Sequence, residues 1–208
     1  MNKESVLERL KSSGIIPVMR NMKPEKIVNI VDALLKGGLS TVEITIEQEG
    51  GLEAIREAKS HFGEKVCIGA GTVMSSEDVQ LAIDAGADFI VTPIVSKTAI
   101  ALANQKDCFI ACGALTPTEI HEAYISGADL VKVFPADSMG VNYFKNLQGP
   151  LKHIPLMPTG GINIENLVDY VKNKAICVGV GSAIYQYDTD EEITNVAKEF
   201  VAAYRSAK

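Results

Sequence analysis

A lysine lies in the middle of an apolar segment of this sequence. Lys132 follows Leu130 and Val131 and precedes Val133 and Phe134. Because side chains alternate along a β-strand, Lys132 should share a face with Leu130 and Phe134, opposite the two valines, and we expect that face to be the interior. Burial disfavours the charged ammonium and leaves a fraction of neutral amine that can attack a carbonyl carbon. We interpret Lys132 as a nucleophile; the alternative is a lysine paired with an interior carboxylate for packing.

A carboxylate occupies a similar position in segment 41–47, where polar and apolar residues alternate. Glu43, Thr45 and Glu47 share one face of a predicted strand, and we expect that face to be interior. A confined carboxyl group can move protons in both directions. Glu43 is therefore the candidate general acid and base. An ion pair between Glu43 and Lys132 is the alternative, and it is compatible with catalysis.

Two glycine-containing segments near the end of the chain suggest an anion site. Residues 158–162 read Pro-Thr-Gly-Gly-Ile and residues 179–182 read Gly-Val-Gly-Ser. Glycine lets backbone N–H groups approach a phosphate closely, although it also serves ordinary tight turns. We predict a phosphate site at Gly160, Gly161 and Ser182. Residues 69–72, Gly-Ala-Gly-Thr, resemble a phosphate loop only loosely and are more suited to bringing the Thr72 hydroxyl near a substrate.

Short β-branched segments alternate eight times with helical patterns, which predicts repeated βα units and a parallel sheet. The predicted strands are 14–20, 41–47, 66–72, 87–93, 107–113, 128–134, 154–159 and 175–180. The predicted helices are 4–12, 24–37, 51–61, 75–85, 97–105, 117–126, 141–148, 163–172 and 190–205.

We predict that these units form one (β/α)₈ TIM barrel with a short N-terminal helix, because no linker-like segment divides residues 1–208. The alternative is a doubly wound open sheet, but its GxGxxG fingerprint after the first strand is absent. Active sites of such barrels lie at the C-terminal ends of the strands. Several candidates, such as Arg20, Thr72 and Pro93, are at the ends of predicted strands, as this location requires.

Composition limits the classes of partner. The formal net charge of −6, with no cluster of Lys and Arg, argues against nucleic acid. No segment has the length and apolarity of a signal peptide or a membrane span. The four cysteines and three histidines lack metal-ligand spacing, so we expect buried free thiols and no metal. These features predict a cytoplasmic protein.

Six segments, taken in this order, resemble the 2-keto-3-deoxy-6-phosphogluconate (KDPG) and 4-hydroxy-2-oxoglutarate (KHG) aldolases. They are residues 42–45, 69–72, 91–93, 131–135, 158–161 and 179–182, and the resemblance runs from Ile15 to about Tyr185. It implies class I, Schiff-base chemistry on a (β/α)₈ barrel without metal or other cofactor. It also implies a homotrimer.

The resemblance assigns roles residue by residue. Lys132 matches the Schiff-base lysine and Glu43 the general acid and base. The positions that match the pyruvate-lining residues are Thr72, Pro93 and Phe134. The positions that match the phosphate-binding residues are Gly160, Gly161 and Ser182.

One position departs from the family pattern. The phosphogluconate branch usually has an arginine for the substrate carboxylate where this sequence has Glu47, and a carboxylate cannot bind an anion. Arg20, at the end of the first predicted strand, is the nearest candidate for that role. The alternative is an Arg20–Glu47 ion pair at the barrel rim. The departure leaves the mechanism intact and puts the choice of substrate in question.

The implied reaction cleaves a 4-hydroxy-2-keto acid to pyruvate and an aldehyde. With KDPG the aldehyde is glyceraldehyde 3-phosphate, and with KHG it is glyoxylate. The 6-phosphogalactonate epimer or an unphosphorylated analogue is an alternative substrate. Two other classes stay open: a phosphosugar isomerase or epimerase, which gives no reason to bury Lys132, and a non-catalytic phosphate-sugar binding barrel, which would tolerate the loss of Lys132.

Overall fold

A computed structural model of the chain describes residues 1–21 and 23–208. Its strands are β1 (Ile15–Met19), β2 (Thr41–Thr45), β3 (Cys67–Gly71), β4 (Phe89–Val91), β5 (Phe109–Ala114), β6 (Leu130–Val133), β7 (Leu156–Pro158) and β8 (Val178–Val180). All neighbouring strands run parallel, with β8 beside β1. A parallel bridge between Thr159 and Gly179 joins β7 to β8 and closes the barrel. The predicted (β/α)₈ barrel is confirmed.

Helices connect the strands on the outside of the barrel. They are α1 (Lys3–Ser13), α2 (Pro24–Lys36), α3 (Gly51–Phe62), α4 (Ser76–Asp84), α5 (Lys97–Gln105), α6 (Pro117–Ile125), α7 (Gly140–Leu147), α8 (Leu167–Lys172) and α9 (Asp190–Ser206), with a 3-10 helix at Ser182–Ile184. Capping boxes fix the starts of α4, α6 and α9. In each, a Ser or Thr hydroxyl and an acidic side chain satisfy free N–H groups of the first turn.

The lower half of the barrel interior is filled by large apolar side chains. Phe89, Phe109, Leu130 and Met157 belong to an inner cluster that is distinct from the larger core between the barrel and its helices. Leu10 of α1 joins the inner cluster, so α1 closes the N-terminal end of the barrel. The interior is thus a packed core below and has space for chemistry only towards the C-terminal ends of the strands.

Two aspartates at this closed end, Asp88 and Asp129, tie neighbouring strands together. The Asp88 carboxylate accepts from the Ile68 N–H at 3.0 Å and from the Lys59 ammonium at 2.6 Å. The Asp129 carboxylate accepts from the Ile110 N–H at 2.9 Å and from the Lys3 ammonium at 2.9 Å. Because Lys3 belongs to α1, its contact with Asp129 also holds the closing helix in place.

The structure corrects two predicted boundaries. The predicted strand 41–47 ends at Thr45, because the chain turns at Ile46 towards α3 and Gly51 lies against the Thr45 carbonyl. Glu47 is therefore exposed and does not face the interior. The predicted helix 163–172 begins only at Leu167, because the Asn163 and Asn166 side chains form a hydrogen-bonded turn before it.

We predict that Leu10→Ala lowers the free energy of unfolding by about 2–5 kcal/mol, because it leaves a cavity in a fully buried contact. Urea denaturation measures the change. Leu81→Ala, at an exposed position of α4, is the control and should change stability little. Equal losses in the two variants would show that α1 does not close the barrel core.

Candidate active site

Lys132 and Glu43 meet inside the barrel. Their side chains extend from β6 and β2, which lie on opposite sides of the eight-stranded ring. The Lys132 Nζ lies 3.5 Å from Glu43 Oε1, and the two residues are 2% and 1% exposed. An amine and a carboxyl group at this distance, removed from water, can exchange a proton with each other and with a bound reactant.

The Glu43 carboxyl group is not held by hydrogen bonds. Among the described residues, no donor satisfies either of its oxygens, although both are buried. Space for the group comes from Gly71 on the neighbouring β3, where a Cβ atom would lie 2.2 Å from Glu43 Oε1. A carboxyl group with unsatisfied oxygens and room around it is suited to receiving and returning protons of a ligand.

Phe134 and Pro93 form apolar walls near the amine. The Lys132 Nζ lies 5.2 Å from the centroid of the Phe134 ring, within the range of a cation–π contact. The segment at Pro93 lies directly on β5, because a Cβ atom at Gly113 would be 2.3 Å from the Pro93 carbonyl carbon. Gly113 is the register partner of Lys132, so this absence of a side chain brings the Pro93 segment towards the amine.

Thr92 fixes that segment. Its hydroxyl donates to the Ile94 carbonyl at 2.7 Å and accepts from the Gly113 N–H at 3.0 Å. Thr72, the third predicted residue of this region, has a φ of 56° at the end of β3 and is half-buried. This left-handed conformation is unfavourable for a β-branched residue and is typical of functional sites.

Two cavities open at this end of the barrel, and Phe134 lines both. One, of about 520 Å³, lies beside Pro93 and Pro135. The other, of about 330 Å³, brings together all three residues predicted for the phosphate site, which are Gly160, Gly161 and Ser182. Arg20, predicted for the substrate carboxylate, and Phe134, predicted for the pyruvate end, line it too, and its further lining includes Asn21, Thr159, Gly181 and Tyr185. Thr72 lines neither cavity.

The lining of the second cavity includes one cation, Arg20, and the two glycines Gly160 and Gly161. Gly160 and Gly161 have φ values of 97° and 66°, which only glycine adopts readily. Arg20 is exposed at the rim and, among the described residues, forms no ion pair with Glu47. The predicted alternative of an Arg20–Glu47 ion pair is therefore wrong, and the guanidinium is available to an anion in the cavity.

Sequence reasoning missed two residues of this region. Gly71 was recognised as part of a glycine-containing segment, but its contact with Glu43 depends on the register of β2 against β3. Tyr185 is buried against the second cavity, and its hydroxyl accepts from the Arg20 N–H at 3.1 Å. An aromatic residue in an apolar segment is usually a core residue, so the sequence contains no signal for this contact.

Metal ligands and cysteine thiols are the other groups that could take part in chemistry. Among the described residues, no group of three His, Cys, Asp or Glu side chains is arranged to hold a metal ion, and no helix is long and apolar enough to cross a membrane. All four cysteines are free and buried. Burial raises the pKa of Cys67 to about 12 and that of Cys108 to about 11. These thiols are poor nucleophiles at neutral pH.

Comparison with known proteins identifies the family. The family model described as KDPG and KHG aldolase matches residues 6–198. The chain belongs to this family. It is 35% identical over 204 residues to a 2-dehydro-3-deoxy-phosphogluconate aldolase of Haemophilus influenzae, covering 95% of this chain and 96% of that protein. It is 31% identical over 195 residues to a 2-dehydro-3-deoxy-6-phosphogalactonate aldolase of Escherichia coli, covering 93% and 95%.

A solved structure of a relative supports the class of chemistry. The KDPG aldolase of Legionella pneumophila, with pyruvate captured at low pH as a covalent carbinolamine intermediate, matches with a TM-score of 0.86. The sequences are 26% identical, and the match covers 92% of this chain and 96% of that chain. This chain is accordingly a class I aldolase, a carbon–carbon lyase.

We predict that Gly71→Ala lowers kcat/KM for aldol cleavage by about 10²-fold, because the added methyl group displaces the Glu43 carboxyl group. Gly149→Ala is the matched control, since its nearest neighbour would be 3.6 Å from the new Cβ atom. Circular dichroism checks that both variants fold. Unchanged cleavage by folded Gly71→Ala would mean that the position of Glu43 does not matter.

Proposed function

We propose that this aldolase cleaves KDPG to pyruvate and glyceraldehyde 3-phosphate, with Lys132 as the Schiff-base nucleophile and Glu43 as the general acid and base. The observation that carries the proposal is the buried Lys132–Glu43 pair, 3.5 Å apart. The Lys132 Nζ lies 5.2 Å from the ring of Phe134, and Phe134 lines a cavity together with Arg20 and two glycines. No other chemistry explains an amine held at this depth in the barrel as directly.

Schiff-base formation begins with a proton transfer within the pair. Glu43 accepts a proton from the Lys132 ammonium, and the neutral amine attacks the C2 ketone of the substrate. The resulting carbinolamine loses its hydroxyl group as water, for which protonated Glu43 supplies the proton. The product is an iminium ion in which Lys132 Nζ is bonded to C2, and Glu43 is again a carboxylate.

Cleavage uses the same carboxylate. Glu43 removes the proton of the C4 hydroxyl, the C3–C4 bond breaks, and its electrons move into the iminium group. The aldehyde leaves, and an enamine of pyruvate stays on Lys132. Glu43 then returns its proton to C3, and water hydrolyses the restored iminium to release pyruvate. The iminium supplies the electron sink that a metal ion supplies in other aldolases.

The two cavities suggest how the substrate lies. The pyruvate-derived end belongs near Pro93 and Phe134 of the first cavity, and the phosphate belongs with Gly160, Gly161 and Ser182 of the second. Thr72 lines neither cavity, and only the family resemblance supports its place at the pyruvate-derived end. Arg20 lines the cavity on the glycine side, so we assign it to the phosphate end and not to the carboxylate that the sequence suggested. Glu47 is exposed and lines neither cavity, so it does not repel the bound anion at short range.

The C4 epimer is a second candidate substrate. The relatives include both a phosphogluconate and a phosphogalactonate aldolase, at 35% and 31% identity. Both substrates offer the same 2-keto group and the same 6-phosphate, so the Lys132 chemistry serves either one. Cleavage rates for the two epimers and for their unphosphorylated forms distinguish these candidates.

We also propose that the chain forms a homotrimer and that it is located in the cytoplasm. The family resemblance supports the trimer, and the four buried free thiols support a reducing compartment. The acidic net charge of −6 supports a small-molecule substrate and no nucleic-acid partner.

We predict that Lys132→Ala lowers aldol cleavage by a factor on the order of 10⁴ to 10⁶, because it removes the nucleophile. Release of pyruvate, measured with a coupled dehydrogenase, follows the reaction. Lys36→Ala is the control, since Lys36 lies on α2, is exposed and pairs with Asp32. Retention of cleavage by Lys132→Ala would refute the Schiff-base assignment.

We predict that Arg20→Gln raises the KM for KDPG by about 10-fold or more, because a charge-assisted contact with phosphate is lost. The KM for the unphosphorylated analogue should change much less. Arg56→Gln serves as the control, since Arg56 lies on α3 and pairs with Glu53 at 3.3 Å. Equal effects of Arg20→Gln on both substrates would move Arg20 away from the phosphate end.

A further inference from the structure

Tyr185 offers a hydrogen-bond donor that the proposed mechanism does not use. The residue is 3% exposed and lines the same cavity as Arg20, Gly161 and Ser182. Its hydroxyl accepts from the Arg20 N–H, and among the described residues it donates to no carbonyl or carboxylate. A phenol has one proton to donate, so this proton is available to a ligand in the cavity.

The phenol stays protonated at neutral pH. Burial raises the pKa of Tyr185, and this effect is opposed by the hydrogen bond from the Arg20 backbone and by the Arg20 charge. A neutral phenol in a cavity that an arginine also lines is suited to an anion, because both groups donate and neither carries negative charge. The backbone bond also fixes where the Arg20 side chain starts.

The chain links Tyr185 to the predicted phosphate residues. The Tyr185 N–H donates to the Ser182 carbonyl at 3.2 Å, so Ser182 and Tyr185 belong to one turn after β8. The hydroxyl of Tyr185 accepts from the N–H of Arg20, the residue after β1, and Tyr185 and Ser182 line the same cavity as the two glycines. Tyr185 therefore links the turn after β8 to the end of β1.

We propose that Tyr185 is a substrate-binding residue whose hydroxyl donates to the phosphate of the substrate and so determines the preference for phosphorylated over unphosphorylated keto acids. The inference rests on the proposed function, since it assigns a further group to the same site.

The test compares Tyr185→Phe with Tyr187→Phe. Tyr187 lies two residues away, does not line this cavity, and donates its hydroxyl to the Ala183 carbonyl at 3.1 Å. Tyr185→Phe should raise the KM for KDPG about 10-fold relative to that for the unphosphorylated analogue, and should weaken inhibition by inorganic phosphate by a similar factor. Tyr187→Phe should leave both quantities as they are.

A purely structural Tyr185 predicts a different result. If the Tyr185 hydroxyl donates to the phosphate, Tyr185→Phe changes the ratio of the two KM values and the phosphate inhibition constant further when it is introduced into the Arg20→Gln variant. If Tyr185 acts only through packing or by placing Arg20, Tyr185→Phe leaves both quantities as they are in Arg20→Gln alone. That outcome would overturn the inference.

A second measurement does not depend on a folded Tyr185→Phe variant or on catalysis. The wild-type chain labelled with [¹³Cζ]tyrosine has six tyrosine resonances. The resonance of Tyr185 is assigned as the one that persists in each of the five variants that replace another tyrosine with phenylalanine. Inorganic phosphate should shift this resonance. Absence of that shift at phosphate concentrations that inhibit would overturn the inference. Failure of the wild-type chain to release pyruvate from KDPG would instead contradict the proposed function, since phosphate binding does not require cleavage.

Discussion

The candidate active site depends on one interaction, the contact between the Lys132 amine and the Glu43 carboxyl group in a part of the barrel from which water is excluded. Each group alone would be costly to bury, because an unpaired charge in the interior loses its solvation. Lys132 and Glu43 avoid this cost by approaching to 3.5 Å from strands on opposite sides of the barrel. A closed barrel is suited to this task, since it directs side chains from all eight strands towards one axis.

The size of the interior side chains sets the height of the site. Below the pair, Phe89, Phe109 and Met157 fill the barrel, and α1 covers its end. At the level of the pair, Gly71 and Gly113 provide no side chain, which leaves room for the Glu43 carboxyl group and for the Pro93 segment. The glycines of β3 and β5 therefore contribute to chemistry by the space they leave, while stability comes from the aromatic layer beneath.

Much of this arrangement is predictable from sequence because alternation along strands is a local property. The period of two identified the interior faces of Lys132 and Glu43 without knowledge of their contact. It failed at Glu47, because the strand ends where the chain turns into α3 and alternation no longer applies. Contacts between distant segments, such as Tyr185 with Arg20, depend on barrel closure and on the turn after β8, which no local pattern encodes.

Lys132 is proposed as the amine that condenses with a 2-keto acid. Borohydride reduction in the presence of pyruvate, followed by mass spectrometry of the digested protein, shows which lysine forms the imine. We expect one reduced pyruvate adduct, on the peptide that contains Lys132, and none when borohydride is added without pyruvate. An adduct on another lysine, or no adduct in the active protein, would contradict it.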